Sequence, residues 1–153
     1  MNLVTTPISL REANDFVESF HRHNVRTSRN GGKFAIGASD GSGLIGVAIV
    51  GRPVARLLND TYTAEVLRSC TSPQAPKNTN SFLYSRCWRI WQLMGGQRMV
   101  TYTLATESGS SLRGAGWRVV GESKPSNGWS RTGREREWQP IYGQLKLRWE
   151  VEA

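Results

Sequence analysis

The chain opens with Leu3-Val4-Thr5-Thr6-Pro7-Ile8, an apolar-rich run that reads as a short strand. Ser9-Leu10-Arg11-Glu12 forms a capping box, in which Ser9 and Glu12 can each satisfy a free backbone N–H at a helix start. Ala13, Phe16, Val17 and Phe20 then recur at helical spacing and predict one apolar face of a helix ending near His23. A polar stretch from Arg26 to Gly32 reads as a loop. Lys33 to Ala38 and Gly43 to Gly51 predict a hairpin turned by Asp40-Gly41, where glycine accepts the positive φ of such turns. The run from Leu44 to Val50 is apolar on both faces, the pattern of a central strand. Asn59-Asp60 marks a turn and Thr63 to Cys70 a further strand.

After Thr71 the period changes. A polar loop with two prolines, Thr71 to Asn78, precedes Phe82, Leu83, Cys87, Ile90, Trp91 and Met94 at helical spacing, stopped by Gly95-Gly96. Met99 to Leu104 predicts a strand, Gly109 to Ala115 a short helix stopped by Gly116, and Trp117 to Gly121 a strand. Glu122 to Gln144 lacks periodicity, and its length points to a functional or mobile loop. Leu145 to Val151 closes the chain as a strand. The order β–α–β–β–β–α–β–α–β, a loop and a last strand predicts an α/β or α+β fold. The expectation is one domain over residues 1–153, with a mixed central sheet flanked by helices.

Composition narrows this picture. At 153 residues, 38% hydrophobic and 21% charged, the chain can bury a core and is neither disordered nor a coiled coil. No apolar run is long enough to cross a bilayer, and the N-terminus lacks a secretory pattern, so a cytoplasmic protein without membrane contact is expected. Cys70 and Cys87 read as small buried hydrophobes rather than a disulfide or metal ribbon. The net charge of +8 is uneven. Residues 61–120 carry seven basic and two acidic side chains, against seven and five before them and six and five after. The excess suits a polyanion, either the phosphates of a cofactor or a nucleic acid; solubility alone is the plainer reading.

The excess coincides with a strand–loop–helix unit between Thr63 and Met94. Its helix start, Asn78-Thr79-Asn80-Ser81, offers free backbone N–H groups, and Lys77 adds charge, a combination that favours phosphate. Glu65, one of two acids in this third, reads either as a base with a raised pKa or as an ion-pair partner of Arg68. Glu107 reads as a second carboxylate reaching the same cleft or as a helix cap, and Tyr102 as a proton donor or as packing. His21 and His23 are the only histidines. His23 reads as a cleft residue or as a charge at a helix C-terminus, and no metal site is expected. In the long loop Trp129, Arg131, Arg134, Arg136 and Trp138 interleave aromatic and basic groups, as in nucleic-acid binding, though Glu135 and Glu137 dilute the charge.

In the order of its elements the chain resembles the GNAT acyltransferases. Ala75-Pro76-Lys77-Asn78-Thr79-Asn80-Ser81-Phe82-Leu83-Tyr84 lies where that family has its Arg/Gln-x-x-Gly-x-Gly/Ala pyrophosphate loop, with asparagines at both glycine positions and Ala75 at the Arg/Gln position. Ser110-Ser111-Leu112-Arg113-Gly114-Ala115-Gly116-Trp117 resembles the last conserved helix, where the family's usual acid tyrosine is here Leu112. Gly46 to Arg56 and Thr101-Tyr102-Thr103-Leu104-Ala105 are similar to short GNAT-like proteins of phages and prophages. Mom-type phage proteins, which modify adenine in DNA, are also GNAT-like and carry histidine near the end of the first helix.

The resemblance implies a GNAT-like fold and an enzyme, an acyltransferase using acetyl-CoA or another acyl-CoA. It implies cofactor contacts by Arg68, Ser69, Lys77, Asn78, Thr79, Asn80 and Ser81; with Leu112 at the tyrosine position, Glu65, Tyr102, His23 and Glu107 are the side chains expected to supply catalysis in its place. Its further implications are a DNA-modifying role, nucleic-acid contacts by the Trp–Arg loop, and a homodimer as a possible assembly. Two other readings stand beside it: an N-acetyltransferase of a small amine or protein lysine, and a non-catalytic nucleic-acid-binding module on the same scaffold.

Overall fold

In the computed structural model, which describes residues 2–20, 27, 32–123 and 145–153, the elements fall where the patterning puts them. They are β1 (Val4–Pro7), α1 (Leu10–Phe20), β2 (Gly32–Ser39), β3 (Leu44–Gly51), β4 (Thr63–Thr71), α2 (Thr79–Leu93), β5 (Arg98–Leu104), α3 (Ser110–Gly114), β6 (Arg118–Ser123) and β7 (Lys146–Glu152). A single 3₁₀ turn at Arg56–Leu58, which the pattern does not announce, lies between β3 and β4. The capping box forms as expected: Ser9 N–H donates to Glu12 Oε1 at 3.2 Å, and Glu12 N–H to Ser9 Oγ at 3.0 Å. Gly41 takes φ of 96° in the hairpin turn, and Asp40 Oδ1 accepts from Ser42 N–H.

The seven strands form one mixed sheet in the order β1-β2-β3-β4-β5-β7-β6. Neighbours pair antiparallel except β4 and β5, whose α2 crossover makes them parallel. As the apolar run of β3 predicts, seven of its eight residues are buried, with a helix on each side. On one face α2 packs Leu83, Cys87 and Trp91 against Ala48, Val50, Ala64, Val66, Met99 and Trp149. On the other, α1 packs Ala13, Phe16 and Val17 against Val47, Ile49 and Cys70. Both cysteines are buried and free.

Two residues of the predicted apolar faces do not join the core. Phe20 is 45% exposed, its ring 4.7 Å from that of Phe16 at the end of α1. Met94 is 60% exposed at the C-terminal cap of α2. Helical periodicity assigns a face but not the point at which the partner surface ends.

The junction from α2 into β5 depends on close packing. Trp91 Nε1 donates to the carbonyls of Tyr62 (3.2 Å) and Arg98 (3.0 Å), and Gly96 N–H donates to Trp91 O at 2.8 Å. A Cβ on Gly96 would overlap the indole, which those bonds hold in place. Gly96→Ala is therefore expected to cost about 1–3 kcal/mol, the range of an overpacked core. Gly121→Ala, where an added Cβ meets nothing within 4 Å, should stay within about 0.5 kcal/mol of the parent. Urea unfolding of both variants measures the difference.

Candidate functional site

The only parallel pair among the described strands is also the shortest in register. β4 and β5 pair at Thr63↔Arg98, Ala64↔Met99 and Glu65↔Val100, and then part. Beyond Glu65 the β5-facing edge of β4 has no strand partner, so backbone N–H and C=O groups line the gap. On its other edge β4 stays paired to β3, with a bulge: Val50↔Val66 is followed by Ile49↔Arg68, leaving Leu67 opposite no residue. The extra residue reverses the alternation of side chains. Val66 therefore packs beneath α2, while Arg68 shares the face of Ile49 and Cys70, and Ser69 turns toward α2.

The gap widens into a cleft of about 590 Å³ bounded by the end of β4, the start of α2, the end of β5 and α3. This lies within the range of about 300–1,000 Å³ usual for small-molecule sites. Ser69, Asn80, Tyr84, Thr103, Glu107, Ser110 and Ser111 give it a largely hydroxyl and amide lining. Ser69 Oγ donates to Asn80 Oδ1 at 3.1 Å. Burial pushes the Tyr84 phenol up to about 12, with nearby Cys87 and Glu107 raising it further and the Ser69 hydroxyl opposing. It therefore stays protonated at neutral pH.

At the mouth of the cleft α2 begins without a side-chain cap, since Asn78 makes no capping hydrogen bond. Asn78 has φ of −86°, and among the described non-glycine residues only Thr61 has positive φ. The loop thus needs no left-handed residue where the resembled family has glycine. Thr79 is buried, its hydroxyl donating to Pro76 O at 2.7 Å, whereas Lys77 and Asn78 are exposed. Ser81 is half-buried on the first turn of α2.

Glu65 stands at the apex of the opening, on the sheet face away from α2. It is 6% exposed, and Oε1 accepts from Val54 N–H at 3.0 Å. Burial pushes its carboxyl up to about 7, against the Val54 bond and the charges of Arg68 and Lys146, which favour the ionised form. The pairing of Glu65 with Arg68 expected as an alternative is present as an electrostatic effect, and burial outweighs it.

Tyr102 lies on the same face, opposite Arg148 on β7. Its phenol is raised by burial and by Glu65, with Arg148 opposing. Glu150, also buried, is 3.8 Å from Arg98 and 3.7 Å from Arg148.

The structure therefore divides the expected residues between two sides of the sheet. Ser69, Asn80 and Glu107 line the cleft, while Glu65, Arg68 and Tyr102 gather on the opposite face. Arg68 does not reach the start of α2, because the bulge at Leu67 turns it away. Glu107 accepts from Leu104 N–H at 2.8 Å and closes the turn after β5; the cap position of α3 is Gly109. His23, Trp129, Arg131, Arg134, Arg136 and Trp138 lie outside the described residues. Tyr84 was not among the expected site residues. Its spacing of four from Asn80 on one helix face is the signal that places it.

No protein-family model matches the chain, and no curated protein matches it. By contrast, 195 chains of known structure match its fold. An IAA acetyltransferase from Bacillus cereus is 13% identical, with a TM-score of 0.68 over 99% of this chain and 100% of that one. An acetyltransferase from Bacillus subtilis in complex with CoA is 12% identical, with a TM-score of 0.65 over 99% and 98%. A GNAT-family acetyltransferase from Streptococcus pneumoniae is 8% identical, with a TM-score of 0.65 over 99% of both chains. At such identities the likeness is one of architecture, and the chain has the fold of the GNAT acetyltransferases.

Proposed function

We propose that this protein is an acyl-CoA-dependent acyltransferase, with acetyl-CoA or a related thioester as donor. The observation that carries the reading is the parting of β4 and β5 after three paired residues, with an uncapped helix start at one end and a buried carboxylate at the apex. The residues fit the group. The N–H groups of Asn80 and Ser81 in the first turn of α2, helped by the helix dipole and Lys77, suit the phosphates, while Thr79 N–H is bonded to Pro76 O. The unpaired edge of β4 and the hydroxyl lining suit a slim arm that carries amides. The bound donor would supply an activated acyl carbon. Glu65 would take the proton from the attacking amine, and Tyr84, protonated in the cleft, would hold one for the leaving sulfur. Tyr102 neighbours Glu65 and is read as orienting it or the acceptor.

For the acceptor we favour a nucleic acid, with modification of a DNA base as the leading case. The +8 charge and the similarity to phage and Mom-type proteins support it. So do the cations Arg68 and Lys146 beside Glu65, which disfavour a polycationic amine. A base in duplex DNA would have to leave the stack to reach Glu65.

Three outcomes are expected. Calorimetry should detect acetyl-CoA and desulfo-CoA binding, weakened severalfold in Lys77→Ala; no binding at millimolar ligand would remove the enzyme reading.

Turnover should rise with pH through about 7, as Glu65 ionises, and Glu65→Gln should abolish it with cofactor affinity unchanged. The same group works against stability. Folded Glu65 holds its proton up to about 7, against 4.5 for the free group, so it contributes stability below about pH 4.5 that is lost as pH rises through 7. Between pH 5 and 8 Glu65→Gln should therefore gain on the parent by on the order of 2–3 kcal/mol. A variant that unfolds instead would mark Glu65 as purely structural.

Binding to a short DNA, duplex or single-stranded, should weaken steeply with salt, and Arg131, Arg134 and Arg136 replaced together by alanine should flatten that slope. Trp129→Ala or Trp138→Ala should weaken binding at every salt concentration. Affinity no different from that of an unrelated basic protein of equal charge would leave a small amine or a protein lysine as the acceptor.

A further inference from the structure

β5 carries two threonines on the face beneath α2, and each spends its hydroxyl on a different neighbour. Thr101, 3% exposed, donates from Oγ1 to Val66 O on β4 at 2.9 Å. Thr103 Oγ1 accepts from Trp149 Nε1 on β7, also at 2.9 Å. The two bonds pull in opposite directions across the sheet. Thr101 ties β5 to β4 one residue past the last paired position, Glu65↔Val100. Thr103 adds a side-chain bond to the backbone ladder that pairs β5 with β7 through Leu104↔Lys146, and Trp149 is 1% exposed, packs against Gly109, and has the Arg113 guanidinium 5.0 Å above its ring.

The tie at Val66 adjoins the bulge. Leu67 has no partner on β3, so the β4 backbone at this point is held on that side only by its flanking pairs. Its carbonyl at Val66 is buried in the core, where a lost partner leaves an unsatisfied acceptor. A continued ladder would have drawn the strands together and filled the gap with backbone pairing. Here the Thr101 hydroxyl, not a backbone N–H of a continued ladder, bonds the Val66 carbonyl.

We propose that Thr101 is a positioning residue for the acyl-CoA cleft, its hydroxyl fixing the apex of the β4–β5 opening while the ladder to β7 holds the far side of β5. This rests on the acyl-CoA reading of the cleft. Thr101 itself need not touch the cofactor; it acts through the β4 backbone from Val66 to Arg68.

Thr101→Val keeps the shape and removes the donor, and Thr101→Ser keeps the donor. Desulfo-CoA affinity should fall about tenfold in Thr101→Val, the effect of about one lost buried hydrogen bond. In Thr101→Ser it should stay within about twofold. With a reacting acyl-CoA the loss should appear in KM rather than in kcat. Hydrogen exchange in the protein without cofactor supplies an independent readout: amides of residues 64–68 and 99–102 should exchange faster in Thr101→Val and at the parent rate in Thr101→Ser.

Thr101→Ala, which removes the donor without setting a methyl group against the Val66 carbonyl, should also weaken binding, and keeps the test open if Thr101→Val does not fold. Unchanged affinity in Thr101→Val, or equal losses in Thr101→Val and Thr101→Ser, would overturn the proposal. So would a parent protein that binds no desulfo-CoA, and in that case an exchange response intact at Thr101 would show that the acyl-CoA reading, not the strand tie, had failed.

Discussion

Three residues of parallel pairing between β4 and β5 are the constraint on which the rest of this molecule depends. α2 must cross over the sheet to join these strands, which puts its N-terminus beside the end of β4. Because the pairing stops at Glu65↔Val100, the sheet opens where that helix begins. Apolar packing of α2 on one face and α1 on the other closes the remainder. The cleft is thus an interruption built into a continuous sheet, and it costs backbone hydrogen bonds that would otherwise form between the two strands. Thr101 recovers one of them with a side chain.

The bulge at Leu67 divides the chemistry. By reversing side-chain alternation within one strand, it sends Ser69 to the cleft and keeps Glu65 and Arg68 on the far face. A carboxylate that is 6% exposed and raised to about 7 is held by one backbone N–H and two nearby cations. None of these overcomes desolvation. Such a group is poorly placed for stability and well placed to take up a proton near neutral pH, as perturbed groups at functional sites commonly are. Tyr84 on the other side is raised as well, and remains a donor.

Much of the fold was legible in the sequence, because binary patterning carries it. Alternation and apolar runs located every strand, helical spacing located α1 and α2, and the capping box and Gly95-Gly96 marked where helices start and stop. What escaped lies at a scale that patterning does not register. No glycine or proline announces the bulge at Leu67, so the face taken by Arg68 could not be assigned from alternation alone. The exposure of Phe20 and Met94 depends on where the opposing surface ends. Tyr84 enters the cleft through one turn of helix beyond Asn80, and only the placement of β4 gives that turn a function. The strand Glu65 occupies was evident from its neighbours, whereas its burial and its bond to Val54 N–H depend on the connection after β3.

The central claim is that the opening between β4 and β5 holds the donor of an acyl group. Titrating the labelled protein with desulfo-CoA while following backbone amide resonances tests it most directly. Saturable shifts are expected, confined to residues 66–71, 78–81 and 103–112, the edges of the cleft and the start of α2. Shifts that leave those residues unmoved, or that spread without saturation over the basic surface, would contradict it.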